Sequence, residues 1–217
     1  MKPVNNLFNE LTDVALDFGY SFAKHVLKYV VVDDTDIAPK TAKIRLIYSG
    51  VYRAEYSINA SAIAGVEDLY RSANFGALMG IANQRMEDSI NYGTFMASVN
   101  IMDGGFNASP LFCVASDVKR GYNVGGFSLC HDEVSENAYH GGIIAVAGTV
   151  SGRMRGIFTY CGNNCGDVVG IVNVTGRNKL SDRRDTKGRR SKGKQIGLIN
   201  IDLSKPLLEG GLAFGWS

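Results

Sequence analysis

Glycine is the residue that most constrains how this chain can fold. Twenty-six of the 217 residues are glycine, and only four are proline. Because glycine readily adopts the backbone angles of tight turns, this ratio favours many short strands joined by such turns. The other residues have an ordinary globular composition, 45% hydrophobic and 20% charged, and the chain is long enough to bury a core.

Strand-like runs with short links dominate the sequence from residue 95 onwards, and no internal repeat of 20–50 residues is evident. An earlier pair, 43–48 and 51–58, is joined at Ser49-Gly50 and predicts a hairpin. Consecutive strands with short links usually pair antiparallel, so the pattern predicts a meander. The later strands are predicted at 95–102, 111–116, 126–131, 142–150, 153–161, 167–175 and 195–203.

Two segments have helical spacing of their apolar residues. Residues 5–29 place Leu7, Leu11 and Val14 at four- and three-residue steps, which indicates an amphipathic helix. Residues 62–91 show a rougher stripe of the same kind. The predicted fold class is therefore α+β: an antiparallel β-sheet or meander, with the N-terminal amphipathic helix and one central helical segment packed on it.

We expect a single α+β domain over residues 1–217. It is divided into a helical N-terminal arm (1–32), a β-rich body (42–203) with a basic loop (176–194), and a C-terminal tail (204–217).

Positive charge is concentrated in that loop, which we call the basic segment (176–194). It contains nine Lys or Arg and two acids, a charge of +7, so the other residues carry 2 − 7 = −5. Clustered Lys and Arg neutralise phosphates. Alternation along the 153–161 strand places Arg153 and Arg155 on one face, where they extend the basic surface. The predicted nucleic-acid-binding residues are Arg177, Lys179, Arg183, Arg184, Lys187, Arg189, Arg190, Lys192, Lys194, Arg153 and Arg155.

The leading hypothesis is a non-catalytic protein that binds RNA or single-stranded DNA through a basic hairpin loop. The glycine- and asparagine-rich texture resembles that of phage-encoded proteins. A second hypothesis is a self-assembling viral or phage shell or tail protein, in which the loop and the termini contact other subunits. We expect a homo-oligomer with no membrane partner, located in the cytoplasm (the host cytoplasm or the virion for a viral protein), since the chain has neither an apolar membrane span nor a signal core.

A metal-dependent enzyme is the third hypothesis, and its residue signals are weak. Four cysteines (113, 130, 161 and 165) and histidines at 25, 131 and 140 could form a zinc set, but their spacing is not that of a zinc knuckle. The groups His131-Asp132-Glu133 and Asp33-Asp34-Asp36 lie among turn-forming residues. The sequence thus predicts no catalytic residues, no metal and no cofactor.

Overall fold

The computed structural model describes residues 39–176, 193–203 and 212–216. Within these ranges every regular element is a β-strand, and none is a helix. The strands are β1 (Ala42–Ile44), β2 (Tyr48–Glu55), β3 (Ile58–Tyr70), β4 (Ala73–Gly93), β5 (Met96–Val150), β6 (Arg153–Asn164), β7 (Asp167–Thr175), β8 (Lys194–Asp202) and β9 (Leu212–Trp216).

Successive strands stack in parallel into one continuous sheet. Strands β1 and β2 both pair with β3, and from β3 to β8 each strand pairs in parallel with the next. Only β9, within the described residues, runs antiparallel to its partner, β8. A chain that winds in stacked turns of this kind is a β-solenoid. The predicted α+β class with an antiparallel meander is therefore wrong.

The short links are corners of the solenoid and do not form hairpins. Arg153, directly after the Ser151-Gly152 link, pairs with Tyr139, which lies 153 − 139 = 14 residues earlier. The predicted hairpin at Ser49-Gly50 is also wrong, because these two residues lie within β2. The positions of β6, β7 and β8 agree with the strands predicted at 153–161, 167–175 and 195–203. Their predicted antiparallel pairing is wrong, because they pair in parallel.

The central helix predicted over residues 62–91 is wrong, since these residues form parts of β3 and β4. Val66 and Leu69 both face the core, and the strand register shifts between Val66 and Asp68. The extra residue lies in β4, where the inward residues Ala82 and Met86 are four positions apart. Inward positions that recur after three and four residues imitate helical spacing. The N-terminal helix predicted over residues 5–29 lies outside the described residues.

Small and medium apolar side chains fill the interior. Val66, Ala82, Val99 and Ala115 follow one another on successive turns and are almost completely buried. Because neighbouring parallel strands are only about 4.8 Å apart, each turn can contribute just one thin layer of side chains. The buried cluster comprises Val51, Ala54, Val66, Leu69, Ala82, Met86, Val99, Met102, Ala115, Val118, Cys130, Val134, Ala138, Ala145, Ala147, Val150, Met154, Cys161 and Val168.

A buried ladder of asparagines runs through the first turns. Asn59 Nδ2 donates to Asn74 Oδ1, and the same 2.8 Å bond recurs from Asn74 to Asn91, from Asn91 to Asn107 and from Asn107 to Asn123. The sequence separations are 15, 17, 16 and 16 residues, which gives the length of each turn. This period is shorter than the 20–50 residues typical of solenoid and propeller repeats.

One corner of the solenoid requires left-handed backbone angles on successive turns. Tyr56, Arg71 and Asp88 have φ between 43° and 47°, and Gly105 and Gly121 follow with φ of 91° and 96°. A Cβ added to Gly121 would lie 2.5 Å from the carbonyl oxygen of Gly105, so the stacked backbones at this corner leave no room for a side chain.

Candidate interaction surfaces

The basic segment leaves the solenoid at one corner. Its two ends are fixed to the preceding turn, since Gly176 N–H donates to the Cys161 carbonyl at 3.0 Å and Gly193 N–H to the Asn164 carbonyl at 3.1 Å. One turn earlier, the corner between β6 and β7 is only a few residues long. The segment is thus an insertion between two parallel strands, β7 and β8. The prediction of a hairpin loop is wrong, because a hairpin joins antiparallel strands.

Three of the predicted nucleic-acid-binding residues lie in the described part of the chain. Arg153 and Arg155 are exposed near the start of β6, and Lys194 is exposed at the start of β8. Asp167 pairs with Arg153 on the preceding turn and with Lys194 on the following turn, so it lies between these two cationic residues. The other eight (Arg177, Lys179, Arg183, Arg184, Lys187, Arg189, Arg190 and Lys192) lie outside the described residues.

The described arginines differ in whether an acid neutralises them. Arg120 contacts Asp88 at 3.1 Å and Asp103 at 3.2 Å, and Arg53 contacts Glu55 at 3.2 Å. Within residues 39–176, 193–203 and 212–216, neither Arg153 nor Arg155 makes an ion pair or a side-chain hydrogen bond. Their two charges are therefore available to a ligand.

The residues considered for metal binding or catalysis do not assemble into a site in the described part of the chain. No group of three or more His, Cys, Asp or Glu positioned to hold a metal is found there. Cys113, Cys130 and Cys161 are buried, and burial raises the pKa of each thiol. His131 contacts its neighbour Asp132 at 3.1 Å, whereas Asp33-Asp34-Asp36 lies outside the described residues.

His140 continues the asparagine ladder. Asn123 Nδ2 donates to His140 Nδ1 at 3.0 Å, and His140 Nε2 donates to the Val146 carbonyl at 3.1 Å. Burial lowers the pKa of His140 to about 4, so the ring is neutral at pH 7. His140 is therefore a residue of the buried core.

A row of large apolar side chains lies on the outside of the solenoid, one on each of eight successive turns. We call this row the apolar stripe. Each of these side chains is between 40% and 69% exposed. The stripe consists of Leu78, Phe95, Phe112, Phe127, Ile143, Ile157, Ile171 and Leu198.

Strand stacking keeps the stripe continuous. The Phe95 N–H donates to the Leu78 carbonyl at 2.8 Å, and the rings of Phe95 and Phe127 lie 5.5 and 5.6 Å from the ring of Phe112. Farther along, Gly156 pairs with Gly142 and Phe158 with Ile144, so Ile157 lies beside Ile143 of the previous turn. Seven spacings of about 4.8 Å give the stripe a length of about 34 Å.

The apolar stripe was not predicted from the sequence, although a sequence pattern marks it. A glycine followed by a large apolar residue occurs at Gly126-Phe127, Gly142-Ile143, Gly156-Ile157, Gly170-Ile171 and Gly197-Leu198. The structure places these pairs on consecutive turns. A search for short repeats of variable length would have found them, whereas strand prediction treats each pair as an unrelated turn.

A second row of aromatic residues borders a shallow depression of about 440 Å³. Phe106 and Tyr122 stack at 4.7 Å with an interplanar angle of 11°, and the Tyr139 ring follows at 5.6 Å. Arg153 continues the row on the next turn. Because Phe106 and Tyr122 stack on each other, their shared faces are unavailable to a ligand.

Comparisons of the chain with protein-family models, with curated proteins and with solved structures found no match. In the part of the chain that the structure describes, no helix is both long and apolar enough to cross a membrane.

Proposed function

We propose that this protein is a non-catalytic structural component that assembles with other copies of itself. The observation that carries the proposal is the apolar stripe, which extends over eight turns of a rod-like solenoid. Scattered exposed apolar residues are normal on a monomer, but a contiguous row of them marks an interaction surface.

The stripe is large enough for a specific interface. Eight half-exposed Leu, Ile and Phe side chains offer on the order of 100 Å² each, or about 800 Å². A standard protein interface buries about 800 Å² per partner. Covering this area on two copies is worth about 40 kcal/mol gross at about 25 cal/mol per Å². That value exceeds the roughly 4–15 kcal/mol cost of association, before side-chain ordering and polar desolvation reduce the surplus.

Multi-angle light scattering tests the proposal. The wild-type chain should form a defined oligomer, and Ile157→Glu should shift it to monomer because the carboxylate would be buried in the interface. Tyr52→Glu is the matched control: Tyr52 is 46% exposed but lies on β2, off the stripe. A wild-type chain that stays monomeric at high concentration would refute self-assembly, as would equal effects of the two substitutions.

Binding of RNA or single-stranded DNA is the second candidate function. It is favoured by the position of Arg153 and Arg155, which are unpaired within the described residues and lie close to the turn from which the basic segment leaves. Cationic side chains that are not ion-paired bind phosphates and release counterions.

Fluorescence anisotropy of a labelled single strand, titrated at several salt concentrations, tests this candidate. Arg153→Gln together with Arg155→Gln should reduce the slope of log affinity against log salt by roughly 1–2. Arg53→Gln is the control, because Glu55 already neutralises Arg53. Affinity that does not depend on salt, or a double variant that behaves like the control, would exclude these arginines from a phosphate site.

A further inference from the structure

The two halves of the apolar stripe are complementary in residue type about its centre. From the β3–β4 end it reads Leu, Phe, Phe, Phe, Ile, Ile, Ile, Leu. Read backwards, every phenylalanine takes the place of an isoleucine, and the two end leucines exchange. The midpoint lies between Phe127 and Ile143.

This order distinguishes the two ways in which a second copy could pack on the stripe. Parallel packing in register would set phenylalanine against phenylalanine in one half and isoleucine against isoleucine in the other, so the two rods would be held farther apart at one end. Antiparallel packing sets each phenylalanine against an isoleucine. The combined side-chain volume then stays nearly constant along the contact, as close packing requires.

We propose that two copies pack antiparallel across the apolar stripe, with a two-fold axis perpendicular to the solenoid between Phe127 and Ile143. Leu78 then faces the partner's Leu198, and Phe112 faces the partner's Ile157. This inference rests on the proposed self-assembly. The interface is isologous, so it closes at two copies and does not propagate into a fibre.

Charge favours the same orientation. The basic segment carries nine Lys or Arg against two acids, or +7, and its ends are fixed between β7 and β8, near one end of the stripe. Parallel packing would bring two such segments to the same level of the assembly. Antiparallel packing separates their points of attachment by about six turns, or about 29 Å. This distance exceeds the Debye length of about 8 Å at physiological salt, so their repulsion is screened.

Cross-linking through one introduced surface cysteine at a time tests the orientation. Leu78→Cys and Leu198→Cys are each prepared in a Cys165→Ser background, because Cys165 is the one described cysteine that is not fully buried. Each variant is then oxidised alone and after mixing. The antiparallel dimer should give a disulfide-linked dimer only in the mixture, because each new thiol lies close to the other variant's thiol and far from its own copy.

The outcomes separate the orientation from self-assembly itself. A disulfide within either variant alone would show parallel packing and overturn the inference, although the proposed function would stand. A dimeric mass by light scattering without any cross-link would place the interface on another face and also overturn it, as would a trimeric mass. A monomeric wild-type chain would overturn both proposals. Circular dichroism of each variant confirms that it remains folded.

Discussion

Replacing Asn91 with leucine removes one step of the buried ladder while keeping the branching of the side chain at Cγ. Asn91 Nδ2 donates to the Gly80 and Ser98 carbonyls at 3.1 and 2.9 Å and to Asn107 Oδ1 at 2.8 Å, and Asn91 Oδ1 accepts from Asn74 Nδ2 at 2.8 Å. The two Nδ2 hydrogens are shared among these three acceptors, so about three hydrogen bonds at about 1 kcal/mol each give a loss of about 3 kcal/mol in the free energy of unfolding.

Urea unfolding followed by far-UV circular dichroism measures this loss. The samples should be compared at one low protein concentration, so that association contributes equally to every variant. Asn137→Leu is the matched control, because Asn137 is exposed, and it should change stability by no more than about 0.5 kcal/mol. If Asn91→Leu is no more destabilising than Asn137→Leu, then the ladder does not stabilise the fold.

Three further predictions concern the corner, the buried histidine and the thiols. Gly215→Ala should lower the free energy of unfolding, measured by thermal unfolding, by about 1 kcal/mol, since Gly215 has a φ of 85° and open space around it. Gly121→Ala should cost at least twice as much, because the new Cβ would also meet the Gly105 carbonyl. Equal losses would contradict the crowding at this corner. Because burial lowers the pKa of His140 to about 4, the unfolded chain binds a proton more readily than the folded one. The contribution of neutral His140 to the free energy of unfolding is therefore complete above about pH 6.5. As the pH falls through 4, the free energy of unfolding decreases by up to roughly 3 kcal/mol. Urea midpoints at pH 7 and 4.5 should show a smaller decline in His140→Asn than in the wild type, and identical declines would disprove the assignment. A thiol reagent should modify half-buried Cys165 rapidly and the three buried cysteines only as the chain unfolds, so fast labelling of all four would contradict their burial.

The strands could be predicted from the sequence better than their pairing. Runs rich in β-branched residues, such as the one from Asp167 to Thr175, were located correctly because strand preference is a local property. Pairing direction depends on whether a link such as Ser151-Gly152 reverses the chain or only bends it. Both geometries use the same small residues, so local sequence does not distinguish them.

The repeat was hidden because its length varies. Ladder residues are separated by 15–17 positions, and Asn173 and Asn200 by 27, because the basic segment is inserted between them. Arg153 and Arg155 were predicted to be exposed on one face, and they are, since residues alternate along the start of β6. The alternation continues to exposed Ile157 and breaks after it, since Thr159 is buried and donates to Asn173 at 2.6 Å.

The reversal of β9 limits how the molecule can grow lengthwise. Parallel turns present the same slanted hydrogen-bonding pattern at every level, so in principle a new turn can always be added on top of the last. Leu212–Trp216 lies against β8 in the opposite sense, so this pair has the alternating narrow and wide hydrogen-bond spacing of an antiparallel pair. A turn wound in the same direction as β3–β8 and added beyond β9 would have to pair antiparallel with it, so the regular parallel ladder does not continue through this strand.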